Sequence, residues 1–259
     1  MGQIVAVHSY KGGTGKTNIS INLAATLARQ GKKVCLIDLD FRAPSLATFF
    51  SVEEQSEWMN DYLDGTCDIE EVLRDVTDRI SGGGQLFVGL ADPSTEAIRE
   101  ISAKDRKWEM RALGRLLSLK NSLLNEKNFD YLILDTSPGL QYSSINAIVS
   151  ADLAVVASTF DKSDVAGTKR MLHELYDLFE KKTNVIVNKV LYDISSPANK
   201  RDLINRIENT YEVPILGAIP CFCDVARAEG TYIFAQKKPQ HPFSGIMNEM
   251  ANKIDNDKL

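Results

Sequence analysis

The sequence predicts an α/β fold, doubly wound, with a mainly parallel sheet of about seven strands and helices on both faces. Three observations lead there. Strand-like runs recur at residues 3–8, 33–38, 85–90, 130–135, 153–159, 184–189 and 213–219, with helical patterns between them. The runs are near-continuously apolar instead of alternating, as expected of strands covered on both faces. The first run feeds a glycine-rich turn that opens directly into a helical pattern, the strand–turn–helix order of doubly wound sheets.

Length and composition bound the reading. The chain has 259 residues and is 44% hydrophobic, enough to bury an α/β core as one domain over 1–259. Thirty basic against 35 acidic residues give a net charge of −5, which argues against a wholesale electrostatic grip on nucleic acid or anionic lipid. No stretch approaches the roughly 18 apolar residues of a membrane span. The first residues enter a strand, not a signal-peptide pattern, and Ala6 stands where a myristoylation motif wants serine or threonine, so a cytoplasmic, unanchored protein is expected. Four cysteines in so long a chain do not make a disulfide framework.

The stretch Val5 to Ile21, VAVHSYKGGTGKTNISI, carries the chemistry. Gly12, Gly13 and Gly15 lack a Cβ, so the backbone can curl and aim consecutive N–H groups at one anion. The helix opening near Lys16 adds unpaired N–H groups and the positive end of its dipole. Lys16 supplies a full charge and Thr17 a hydroxyl suited to Mg²⁺. The candidate phosphate cradle comprises Lys11, Gly12, Gly13, Thr14, Gly15, Lys16, Thr17 and Asn18. One departure from the general phosphate-loop pattern is informative: Tyr10 replaces its first glycine, and a second lysine, Lys11, precedes the glycines.

Carboxylates mark the ends of two other strands. VCLIDLDFRAPSL places Asp38 and Asp40 at the carboxyl end of the second strand, where ligands of such sheets bind, and on one face if the strand continues that far. A solvated strand end would account for one of them. FDYLILDTSPGL delivers Asp135, in the way an acid reaches Mg²⁺ through a water. Asn188, at the end of NVIVN, offers both donors and an acceptor, the groups that match adenine's N6 amine and ring nitrogens where a strand end meets a base. Leu191 stands where a guanine-binding NKxD pattern needs aspartate, which favours ATP.

KGGTGKT resembles the deviant Walker A loop of the MinD/ParA family of P-loop ATPases, and IDLDFRAP, DTSPG, NVIVN and PILGAIP follow in that family's order along nearly the whole chain. The resemblance implies ATP and Mg²⁺ as cofactors and an ATP-bound homodimer that separates after hydrolysis. It implies that Lys11 reaches the partner's nucleotide, that Lys16 serves its own phosphates and that Asp40 positions the attacking water. Thr17, Asp38 and Asp135 become the metal-side residues, Asn188 a base-recognition residue, and Pro220 part of the loop closing over adenine. A cell-division or chromosome-partition regulator, acting with an activating or cargo protein and turning over slowly without it, is the first functional expectation.

Several features allow other readings. IDLDFRAP is shared with bacterial tyrosine kinases, but ANKIDNDKL holds no tyrosine cluster. Cys221 and Cys223 form a CxC pair that two-fold symmetry would complete to a four-thiolate site, as in metallocentre-maturation ATPases; two small half-buried residues beside a nucleotide loop are the plainer reading. A non-hydrolysing nucleotide-binding regulator is the remaining alternative. Residues 104–125 form a helical pattern with Lys104, Lys107, Arg111 and Arg115 on one face and Leu113, Leu116, Leu117, Leu123 and Leu124 as the buried stripe. That basic face is of a kind that touches DNA phosphates or anionic lipid, but a solvated exterior is expected. The 61–73 stretch is expected to be helical. Residues 244–259 carry Ile246, Met247, Met250 and Ile254 on one side without a basic cluster, so stable membrane binding is not expected. His8 is expected in the core or at a strand end, His173 on a helix surface and His241 in a loop.

Overall fold

The computed structural model describes residues 2–52, 55–191 and 196–256. Its strands are β1 (Gln3–His8), β2 (Lys33–Leu39), β3 (Leu73–Asp75), β4 (Gln85–Gly89), β5 (Tyr131–Thr136), β6 (Leu153–Ser158), β7 (Thr183–Val190) and β8 (Ile215–Pro220). They form one sheet in the order β3-β4-β2-β5-β1-β6-β7-β8. Every pair is parallel except β3 with β4.

The doubly wound expectation holds, with one more strand than the sequence reading counted. The eighth, Leu73–Asp75, has only three residues and buries none of them fully, so it leaves no periodic signature. The 61–73 stretch is correspondingly not one helix. It divides into Met59–Asp64 and Ile69–Val72, separated where Gly65 takes φ +85°.

Side-chain alternation along each strand feeds two layers. Val5 and Val7 join Leu36, Ile133 and the helix Lys16–Arg29 on one face, while Ile4 and Ala6 join Ile37, Leu132 and the helices Arg106–Leu119 and Tyr142–Ser150 on the other. The helix Pro242–Asn256 closes the first layer by burying Ile246, Met247, Met250 and Ile254. A Cβ on Gly217 would lie 2.7 Å from the Met250 sulfur, so the Met250 side chain packs into the space that glycine leaves on β8. The apolar side expected of residues 244–259 is therefore core.

The 104–125 expectation needs correction in three respects. The α-helix begins at Arg106, capped by Asp105 through the Trp108 N–H at 2.8 Å, and gives way to a π-helical turn over Lys120–Glu126. Its buried stripe is Trp108, Ala112, Leu116, Leu119, Leu123 and Leu124, with Leu117 exposed and Leu113 half-buried. The basic face is partly spent inside the fold: Lys104 pairs with Asp64 at 2.9 Å, and Arg115 donates to the Cys67 carbonyl at 2.6 Å while lying over the Tyr62 ring.

Candidate nucleotide site

The strand order sets β1 between β5 and β6, so the chain leaving β1 emerges where neighbouring crossovers diverge, the crevice in which open α/β sheets bind ligands. The turn that follows bends at Gly13 and Gly15, with φ +77° and +96°. At Gly15 the positive φ favours glycine, and the missing Cβ also leaves room for the Asn188 amide nitrogen to close on the loop. Gly15 is the N-cap of the Lys16–Arg29 helix and offers no side-chain acceptor, and no acidic residue stands in the first turn. The first N–H groups of that helix are thus left for an anion, with the Lys16 side chain buried beside them.

Three carboxylates converge on this helix start. Asp38 and Asp135 face each other in register on β2 and β5, both about 1% exposed. Asp38 accepts from the Asp40 N–H at 3.0 Å and the Leu46 N–H at 3.3 Å, and burial and then Asp135 push its carboxyl well above the usual range. Burial pushes Asp135 up to about 6, opposed by hydrogen bonds from Thr17 and Ser20 and by the Lys16 charge. Two buried carboxylates held above their usual range, with the Thr17 hydroxyl beside them, suit a divalent cation that would neutralise both. Among the described residues no three His, Cys, Asp or Glu side chains form a metal cage by themselves.

Asp40 corrects the shared-face premise. β2 ends at Leu39, so Asp40 lies in the following turn, where its carboxylate accepts from the Ala43 N–H at 3.3 Å. Burial raises its pKa, and the Lys16 charge acts in the opposite direction.

Lys11 points away from the cradle. Its ammonium lies 3.0 Å from Asp161 Oδ1 and also donates to the Ser163 hydroxyl, at the exposed start of the helix Lys162–Met171. Ser163, then Lys11, hold the Asp161 carboxyl well below the usual range.

At the other end of the cleft, the Asn188 amide donates to the Thr14 carbonyl at 2.8 Å. Lys189, in a left-handed conformation at φ +56°, donates to the Gly13 carbonyl at 2.8 Å. Beyond them a cavity of about 200 Å³ is lined by Gly15, Asn18, Asn188, Pro220, Cys221 and Phe222, among others. Cys221 and Cys223 are both exposed, not half-buried as expected. Lys189, Ser20, Asp161 and Ser163 were missed in the sequence reading. Lys189 had a signal in standing next to Asn188; the other three sit inside ordinary helix starts and turns.

A cleft with an uncapped glycine-hinged helix start, paired acids at adjoining strand ends and an apolar cavity beside them is that of a P-loop nucleotide-binding protein. A family model described as an AAA domain matches residues 2–191. An ATP-binding protein of Methanocaldococcus jannaschii with no characterised role is 28% identical over 96% of this chain and 86% of its own. The septum site-determining protein MinD of Synechocystis is 30% identical over 85% of this chain and 76% of its own. In fold, the chain matches the MinD of Pyrococcus horikoshii complexed with Mg-ADP at TM-score 0.77 and 22% identity, covering 98% and 96% of the two chains. The chain belongs to the MinD/ParA family of P-loop ATPases.

Proposed function

We propose that this chain binds ATP with Mg²⁺, forms a two-fold homodimer in that state, and hydrolyses ATP to ADP and phosphate as a timer for cell division or for positioning a chromosome or other cargo. Relatives named for septum-site determination support that pathway, and the Pyrococcus protein's Mg-ADP supports the cofactor pair.

The observation that carries the switch is the direction of Lys11. Lys16 lies buried at the cradle, so it is the cation that serves its own phosphates. Lys11 instead reaches outward to an exposed carboxylate, an ion pair whose partners are about half-exposed and which therefore holds it weakly. A partner's γ-phosphate, more highly charged than a carboxylate, outcompetes Asp161 and draws Lys11 across the interface. The transition state spreads charge over the γ-phosphoryl oxygens, so a second cation arriving there favours reaction. In a two-fold pair each protomer gives and receives one such lysine.

In the same reading Asp40 orients the attacking water, Thr17, Asp38 and Asp135 hold the Mg²⁺ side, and Asn188 and Pro220 face the base. Slow turnover follows if the water is fully placed only in the dimer or by an activating partner.

Mixing Lys11→Ala with Asp40→Ala tests this. Each alone should be nearly inactive, with Lys11→Ala down about 10³-fold by analogy with cationic fingers. The mixed dimer contains one site with its own Asp40 and the partner's Lys11, and it should recover activity. No recovery in a demonstrated heterodimer rules the trans role out.

A further inference from the structure

The residue that ends β1, just before the glycine-rich loop, is a fully buried histidine that the proposed chemistry does not use. His8 Nε2 lies 2.8 Å from the Gly139 carbonyl oxygen, and its Nδ1 lies 2.6 Å from the Tyr176 hydroxyl. A carbonyl only accepts, so Nε2 carries the proton, Nδ1 carries the lone pair, and Tyr176 donates to it. Both directions of the relay are thereby fixed. Burial lowers the His8 pKa to about 4, with Lys16 adding to the effect, and raises that of Tyr176, so neither ring changes charge near neutrality.

Gly139 ends the DTSPG segment, which begins in the last two residues of β5, and it is gripped on both polar groups. Its N–H donates to the Ser9 carbonyl at 2.8 Å while its own carbonyl takes the His8 proton, and it sits at φ +80°. Two residues earlier, the Ser137 carbonyl accepts from Ser144 at 2.8 Å, and the Thr136 hydroxyl donates to the Val7 carbonyl at 3.0 Å. Tyr176 stands in a π-helical turn, Leu172–Tyr176, continuing the helix whose first turn holds Lys11. The Tyr10 ring lies against Gly167 of that helix, where a Cβ would collide with it.

We propose that His8 is a positioning residue: through its two ring nitrogens it fixes the Ser137–Gly139 segment relative to the Tyr176 turn, so that this segment, whose Pro138 lies beside Gly12 of the glycine-rich loop and whose Ser137 bonds Asp40, meets the γ-phosphate in one set conformation. This rests on the ATPase reading above. Set backbone groups around a site of developing charge accelerate reaction because they need no reorganisation, whereas ADP, lacking the γ-phosphate, is indifferent to them.

The test compares Tyr176→Phe, which deletes one hydroxyl, with His8→Gln, which keeps a donor for Gly139, and His8→Ala, which keeps none. Tyr176→Phe should fold normally, bind ADP within about twofold of the parent, keep KM within about twofold and lose about tenfold in kcat. His8→Gln should retain more turnover than His8→Ala. Turnover of Tyr176→Phe within about twofold of the parent overturns the proposal, as does a loss of ADP affinity parallel to the loss of kcat, or equal losses in the two His8 variants. Imidazole ¹⁵N shifts of the parent protein near neutral pH give a readout independent of activity and of the folding of any variant. A neutral Nε2–H ring supports the latch, and an Nδ1–H tautomer or a protonated ring overturns it. Absence of ATP hydrolysis by the parent protein removes the ATPase reading, whereas the ¹⁵N shifts still decide the latch.

Discussion

The two ends of the cleft are built on different physics. At the phosphate end, Lys16, Asp38 and Asp135 are all buried and charged or chargeable, so their charges act on one another with little screening by solvent. At the end that the proposed function assigns to the base, Asn188 and Lys189 each donate to a loop carbonyl, of Thr14 and Gly13, and beside them lies an open, largely apolar cavity next to two exposed thiols. The phosphate end is thus specified by charge and the base end by shape. Affinity should reside in the first and discrimination in the second.

Substitutions sharpen that contrast in descending order of effect. Lys16→Ala should weaken ATP binding by about 100-fold, the equivalent of a lost charge-assisted hydrogen bond worth about 2–3 kcal/mol, while leaving the fold intact. Calorimetry with unchanged affinity would place the phosphates elsewhere.

Asp135→Asn should separate stability from ligand. The folded pKa of Asp135 is raised from 3.8 to about 6. Between those values the unfolded chain ionises while the folded chain holds its proton, so nucleotide-free stability falls as pH rises from about 4 to about 6 and is level above that. The Asp135→Asn variant would escape this cost, at most about 3 kcal/mol, and show a raised nucleotide-free melting temperature at about pH 7. The same variant should lose its Mg²⁺-dependent stabilisation by ATP. A parent protein with no stability slope between about pH 4 and 6 would argue that the carboxyl is solvated.

Asn188→Ala should cost about tenfold in ATP affinity, because it both frees the Thr14 carbonyl and removes a polar group from the base cavity, about 1–2 kcal/mol by either route. It should also narrow the difference between ATP and GTP in competition binding. If the loss were equal for inorganic triphosphate, Asn188 would brace the loop without reading the base. The smallest change belongs to Cys221→Ser, expected within about twofold in ATP affinity and with no change in bound zinc, nickel or iron by elemental analysis. Stoichiometric metal lost on that substitution would revive the thiolate site.

The same contrast explains what could be read in advance. The phosphate end was legible because its chemistry demands particular residue types at fixed spacing: glycines at the hinges, a lysine at the helix start, an acid ending an apolar strand. Asp40 could be picked out as a candidate, but its geometry could not, since nothing in IDLDF says that β2 stops at Leu39. Lys189 and Asp161 escaped because their partners, Gly13 and Lys11, lie 176 and 150 residues away in sequence. The strand β3 escaped for a different reason: three mostly exposed residues carry no period. The stripe on the Arg106–Leu119 helix was shifted because the reading followed the leucines alone, whereas the buried face at i, i+4, i+8 and i+11 is Trp108, Ala112, Leu116 and Leu119, with a tryptophan and an alanine in its first half.

The last helix changes how truncations of this chain must be interpreted. Its Met250 fills the space left by Gly217, its Asp255 accepts from Tyr131 at 2.6 Å and pairs with Lys32, and its Lys253 ammonium donates to the Leu216 carbonyl at 2.9 Å. Cutting before Pro242 would strip a lining from the first layer and leave β8 without its cover. Loss of sedimentation with vesicles, or of partner capture, in such a shortened protein would report unfolding, and a surface anchor would have to be sought by point changes on the outward side of the helix, at Glu249 or Asn252.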